Sequence, residues 1–195
     1  MQLLRPQLEH LAEYARVLQR GWSGDNLRGA AAAHEELAQI EADPAAFVAL
    51  MHDPEGRGPA VTLPDGSKVP RIPGLRRWLW EDDAEPPDNG RFAGSINLRW
   101  AAGGAPLPSH VLGHIGYAVV PWKQRRGLAT EALALMLPLA REVGLGFVEI
   151  TTDPDNVASQ RVITANGGEL IEAFIKGPAY GNVPGLRYRI DLTVA

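Results

Sequence analysis

The chain has 195 residues, 45% of them hydrophobic, and a formal net charge of −4. That length and apolar content suit a globular domain with its own core, and the acidic balance excludes an overall basic surface for nucleic acid. Cysteine is absent, which excludes disulfides, cysteine nucleophiles and thiolate metal sites. No apolar run reaches membrane length, and residues 1–6 are too polar for a signal peptide, so a soluble cytoplasmic protein is expected.

Apolar positions Leu8, Leu11, Ala12, Ala15 and Leu18 predict a helix over 7–20, ended by Gly21 and Gly24. A second helix is expected over 29–40, where Ala30 to Ala33 favour it by propensity. Asp43 as cap and Pro44 in the first turn start a third, running to about Met51. Residues 53–74 read as loops around a short hairpin with Asp65-Gly66 at its turn. Strands follow at 78–80 and 92–100, separated by an acidic segment, 81–91, that reads as a solvated turn. A central strand covers 114–120, and an Ala- and Leu-rich helix covers 128–143. Pro138 should kink or split that helix, and Gly144 fits its C-cap. A strand over 147–152, a short helix beginning at Asn156, and strands near 170–175 and 187–192 complete the chain. The mixed order indicates a single α/β or α+β sheet domain over 1–195.

The most informative segment runs from Ile115 to Thr130. A strand enters the turn Gln124-Arg125-Arg126-Gly127-Leu128-Ala129, which opens directly into a helix. A helix start offers backbone N–H groups without intrahelical partners and the positive end of the macrodipole. With a glycine in the turn and two arginines beside it, these residues describe a cradle for a phosphate or pyrophosphate.

This turn resembles the Q/R-x-x-G-x-G/A signature of the GCN5-related N-acetyltransferase superfamily, whose loop holds the pyrophosphate of acetyl-coenzyme A. A second stretch supports the likeness: the strand Phe147-Val148-Glu149-Ile150-Thr151-Thr152, the helix start Asn156-x-x-Ser159, and a helix ending in Asn166-Gly167. The two motifs span roughly 94–175. The resemblance implies a mixed, mostly antiparallel sheet whose central strands splay to admit the cofactor. It assigns acetyl-CoA binding to Gln124, Arg125, Arg126, Gly127, Leu128, Ala129 and Thr130, with Val119 pairing to the pantetheine arm. Asn156 would contact the pantetheine amide as well as cap its helix, with Ser159 beside it. The resemblance also implies pairing of two copies through a sheet edge.

Many superfamily members carry a tyrosine in the second helix that protonates the departing thiolate; the matching position here is Ile163. The pattern around it resembles ribosomal-protein N-terminal acetyltransferases and, more nearly, small uncharacterised acetyltransferases. The general acid is therefore unassigned. For the base, His114 has a suitable ordinary pKa and lies five residues before Val119, and Glu149 is the backup. An ordinary strand histidine is the competing reading of His114. A metal pair from His110 and His114 is rejected, because four strand residues span about 13 Å. Arg99, Arg187 and Arg189 are candidates for an acceptor pocket, although Arg187 and Arg189 suit surface ion pairs too. Trp78, Trp80 and Trp100 read as core or edge residues. The acidic 81–88 segment is a candidate attractor for a cationic acceptor.

The expected activity is N-acetyl transfer from acetyl-CoA to a primary amine of a small molecule or peptide, by direct attack in a ternary complex. Three readings stand beside it: a non-catalytic acyl-CoA sensor, an acyltransferase using a longer acyl donor, and a phosphate-binding domain unrelated to coenzyme A. No metal, membrane or nucleic-acid partner is expected.

Overall fold

The computed structural model describes residues 1–82, 90–104 and 106–193. In chain order the elements are β1 (Gln2–Leu4), α1 (Leu11–Gln19), α2 (Ala30–Ala42), α3 (Pro44–Ala49), β2 (His52–Asp53), β3 (Val61–Thr62), β4 (Lys68–Val69), β5 (Gly74–Trp80), β6 (Phe92–Arg99), β7 (Ile115–Val119), α4 (Leu128–Glu142), β8 (Phe147–Thr152), α5 (Val157–Ala165), β9 (Glu169–Ile175) and β10 (Pro184–Asp191). Helices α2 to α5 start within a residue of where the sequence places them, whereas α1 begins at Leu11 after a 3₁₀ turn, Leu8–His10, rather than at 7. Asp43 caps α3 by accepting from Ala46 N at 2.9 Å. Leu11, Tyr14, Val17 and Leu18 form the buried stripe of α1. Strand β1 was not expected, because three residues show no period; it forms by pairing with Trp78 to Trp80 of β5.

Two antiparallel sheets carry the fold. One runs β1-β5-β6-β7, with β2 also on β5, and the other runs β8-β10-β9. Helices α4 and α5 cover one side, packing Leu128, Leu133, Met136 and Ile163 against Leu79, Ile96, Leu98, Val148 and Ile150. Helices α1, α2 and α3 cover the other side over Trp78, Trp80 and Phe92. Both tryptophans are therefore core residues. Strands β5 and β6 can serve both sides because a β-bulge inserts Ala93 opposite the Leu79–Trp80 step. Phe92 then turns to the α1 side and its neighbour Ala93 to the α4 side.

The two sheets touch at one clasp and then part. His114 N donates to Glu149 O at 2.7 Å, and Glu149 N donates to His114 Nδ1 at 2.9 Å. Gly113 is required here, since a Cβ would lie 2.8 Å from Glu149 O. Beyond the clasp β7 and β8 share no ladder. His114 itself lies just before β7 rather than on it.

Pro138 does not split α4, which is continuous from Leu128 to Glu142. Pro138 and Ala134 both lie on the solvent side. The Ala134 carbonyl that loses its donor can therefore be met by water, and the ring meets no packed neighbour. Gly144, at φ 86°, closes the helix as expected.

Gly94 fixes the spacing of β6 and β7. A Cβ there would stand 2.3 Å from Ala118 O and 2.9 Å from Val119 Cα. Gly94→Ala should lower stability by about 2–3 kcal/mol, as overpacking against backbone does. Urea denaturation checks this, and an unchanged midpoint would show that the strands can yield there.

Candidate active site

After β7 the chain makes a single 3₁₀ turn, Pro121–Lys123, and reaches the start of α4 through two left-handed residues, Arg125 at φ 60° and Gly127 at φ 78°. The first helical bond is Glu131 N to Gly127 O at 3.0 Å. The backbone N–H groups of residues 125–130 have no acceptor among the described residues. A left-handed turn at the positive end of a 15-residue helix thus points a run of free donors outward. Gln124, Arg125, Arg126, Gly127, Leu128, Ala129 and Thr130 form this turn and helix start, and the free donors suit a pyrophosphate.

The loop is anchored from below by a network that the sequence reading did not foresee. Lys123, 3% exposed, bonds Gly90 O at 2.7 Å and Glu81 at 2.9 Å. Glu81 also receives both ends of the Arg126 fork, at 2.7 and 3.2 Å. The expectation of a solvated acidic turn therefore fails at Glu81, because a buried lysine demands a counter-charge. Residues 83–89, the rest of that segment, lie outside the described residues. Arg126 is likewise committed to Glu81, while Arg125 has no ion-pair partner among the described residues.

The edge of β7 that faces β8 is open. Val120 N bonds Ala93 O, and Arg99 N bonds His114 O, so the even-numbered residues of this stretch pair with β6. Ile115, Tyr117 and Val119 consequently turn their backbone groups to the gap. Side chains meet two of the carbonyls: Asn26 Nδ2 bonds Tyr117 O, and Gln124 Nε2 bonds Val119 O, both at 3.2 Å. The amides of Tyr117 and Val119 remain available to an extended ligand.

Across the gap, Asn156 Oδ1 accepts from Ser159 N at 3.0 Å and so caps α5. Ser159 Oγ lies 2.8 Å from the Tyr117 hydroxyl, which links α5 to β7. Burial pushes the Tyr117 hydroxyl up to about 12. Ile163 is fully buried, so the position of the superfamily's tyrosine offers no proton donor.

The two base candidates are placed differently from the expectation. The Nδ1 of His114 accepts the Glu149 amide, which assigns its proton to Nε2 and leaves no free lone pair on the neutral ring. Burial holds its pKa below the ordinary value; Glu149 opposes that, and Arg99 and Arg189 add to it. The Glu149 carboxylate is held by Arg189 at 2.7 Å, with Arg187 at 3.8 Å. Arg187, half-buried and also 3.2 Å from Glu172, and the exposed Arg189 are thus ion-pair residues and do not line the cavity described next.

On the α1 side a cavity of about 320 Å³ opens between α2, β5, β6 and the segment before β5. Glu36 and Arg76 stand in its wall, and Arg76 bonds Glu36 at 3.0 Å and the Tyr14 hydroxyl at 3.2 Å. Asp25, Asn97 and Arg99 line it as well, and Asn97 Oδ1 accepts from Gly116 N on β7 at 2.8 Å. Of these residues only Arg99 was singled out from sequence. Asp25, Glu36 and Arg76 sit in separate, motif-free segments, and only tertiary packing collects them. Among the described residues no three His, Asp or Glu are grouped to hold a metal ion, and no helix is long and apolar enough to cross a membrane.

The family model for the acetyltransferase (GNAT) domain matches residues 26–169, and the chain belongs to that family. No curated protein matches it. Among solved structures it resembles RimL, a ribosomal-protein α-N-acetyltransferase in complex with coenzyme A, at 15% identity and a TM-score of 0.60, over 99% of this chain and 94% of that one. A spermidine N-acetyltransferase from Vibrio cholerae matches at 9% identity and a TM-score of 0.58, over 99% and 96%. A microcin C7 self-immunity acetyltransferase bound to acetyl-CoA and AMP matches at 13% identity and a TM-score of 0.52, over 97% and 91%. The fold is the GNAT acetyltransferase fold, and acetyl-CoA is the acetyl donor of that family.

Glu81 ties this site to pH. Burial alone would raise its pKa, but the Lys123 ammonium and the Arg126 guanidinium outweigh that and hold it below the usual carboxylate range. A depressed folded pKa contributes stability above the unfolded value, and that contribution is lost as pH falls through the folded value. Glu81→Gln should cost about 3 kcal/mol at neutral pH, because it leaves Lys123 buried without its counter-charge. The gap between variant and native should narrow in melts below about pH 4. A pH-independent gap would show that packing, not charge, holds the loop.

Proposed function

We propose that this chain transfers an acetyl group from acetyl-CoA to a primary amine by direct attack in a ternary complex. The observation that carries the reading is the run of free amides over 125–130, lying next to the open edge of β7. The amides and Arg125 would bind the pyrophosphate, and Tyr117 and Val119 would hold the pantetheine arm by their backbone groups. Asn156, already the cap of α5, and Ser159 stand on the opposite wall of the same gap. The amide of β7 nearest the thioester would polarise its carbonyl, as an oxyanion site does.

The amine enters from the cavity on the α1 side. Its nitrogen, once neutral, bonds to the acetyl carbon; the carbon–sulfur bond breaks, the nitrogen releases a proton to cavity water, and the thiolate is protonated by water. His114 and Glu149 serve this scheme as the clasp that sets where the strands diverge, not as proton acceptors.

Calorimetric titration of acetyl-CoA tests the reading. The native protein should bind, and a variant combining Arg125→Ala with Gly127→Ala should bind at least about tenfold more weakly, since it loses a charge and must strain its backbone at a positive φ. No binding by the native protein would sink the proposal. Binding without turnover across an amine panel would favour the acyl-CoA sensor, a reading that the buried Ile163 supports. Competition by longer acyl-CoA donors tests the longer-donor alternative.

For the clasp, His114→Ala should lower stability by about 1–3 kcal/mol by stripping the acceptor from the Glu149 amide. It should leave the shape of the pH–rate profile intact. Loss of an inflection near neutrality in that variant would restore His114 as the base.

A further inference from the structure

Arg99 stands apart from the arginines around it. In the same cavity wall, Arg28 is paired with Glu35 and Arg76 with Glu36. On the sheet surface, Arg187 and Arg189 are paired with Glu149. Arg99 has no carboxylate partner among the described residues. Its Nε donates to Gly113 O at 2.8 Å, and that single bond orients the planar guanidinium. Its two terminal nitrogens have no acceptor among the described residues. They belong to a partly buried side chain that lines the cavity of about 320 Å³.

The position of this guanidinium relates it to the reacting centre. A Cβ built on Gly116 would lie 3.7 Å from Arg99 Nη2 and 2.9 Å from Asn97 Oδ1. The absence of a side chain at Gly116 is thus what leaves the space over β7 beside Arg99. Gly116 immediately precedes Tyr117 and lies three residues before Val119, a strand distance of roughly 10 Å. Tyr180, from the β9–β10 connection, and Asp25, from the α1–α2 connection, also place their charges or dipoles on Arg99. Asp25 uses one oxygen to accept Leu27 N and Arg28 N, both at 3.0 Å, and forms no ion pair with Arg99.

Resting on the acetyltransferase reading, we propose that Arg99 binds the carboxylate of the acceptor, so that the substrate is a small amine carrying a carboxylate within about 10 Å of the reacting nitrogen. A guanidinium held by Nε presents its remaining N–H groups as a fixed fork, the geometry that a carboxylate meets with two parallel bonds. Asp25 and Glu36 share the cavity and oppose a doubly charged phosphate. The cavity is on the scale of a small-molecule pocket rather than a protein docking face. An acceptor with only cationic groups would leave Arg99 facing like charge.

The test is acetyl transfer to the common amino acids, each supplied as the free acid and as its carboxamide, with phosphoethanolamine alongside. The native enzyme should favour the acid over the amide by about 10- to 100-fold in kcat/KM for the pairs it turns over, the range of a charge-assisted hydrogen bond at a buried site. In Arg99→Gln that ratio should collapse towards one, and Arg99→Lys should retain part of it. Acetyl-CoA affinity, measured by titration in each variant, should remain near native and shows that the fold is intact. Equal use of acid and amide by the native enzyme would overturn the proposal, as would a preference for phosphoethanolamine or no turnover of any acid. If acetyl-CoA binds in those cases, the donor half of the functional reading survives; if it does not, both fall.

Discussion

Two strands that start side by side and then part leave backbone groups with no partner, and the rest of this structure is arranged around that deficit. The clasp between His114 and Glu149 fixes the point of divergence. Beyond it the outward-facing groups of β7 cannot reach β8. Unpaired backbone donors in a protein interior are costly, so such an edge persists only where water or a ligand reaches it. The gap is therefore open to water or a ligand. The two apolar clusters on either side of the sheet hold it open, and the bulge at Ala93 lets β6 feed both.

The turn that opens α4 likewise leaves backbone donors without partners among the described residues. Gly127 and Arg125 turn the chain so that α4 begins without capping its own amides. The arginine nearest the helix start nevertheless pairs with Glu81, a half-buried carboxylate that also meets the buried Lys123. The positive field left at the turn comes from the amides, the helix dipole and Arg125. That arrangement favours geometry over net charge, in keeping with a chain of net charge −4.

The cavity on the α1 side shows why the proposed acceptor site is harder to read than the proposed donor site. The proposed pyrophosphate loop lies within one continuous stretch, so its turn, glycine and helix start are visible together. The cavity draws Asp25 from one connection, Glu36 from α2, Arg76 from β5 and Arg99 from β6. None has a motif, and their partners decide their character. Glu36 and Arg76 neutralise each other, whereas Arg99 is left open. The same three arginines that sequence grouped together were separated by packing: Arg187 and Arg189 went to Glu149, and Arg99 alone turned to the cavity.

Periodicity, caps and turn residues were enough to locate most helices and strands and the loop that opens α4, because each depends on neighbours in the chain. The sequence also carried the family likeness through Gln124 to Thr130 and Asn156 to Ser159. It could not show β1, whose three residues pair only with a distant strand. Nor could it show that His114 gives its lone pair to a backbone amide 35 residues away, or that Glu81 pairs with the buried Lys123 beneath the loop. Those roles depend on which group the fold brings within hydrogen-bond reach, and a side chain's chemistry is decided by that partner as much as by its type.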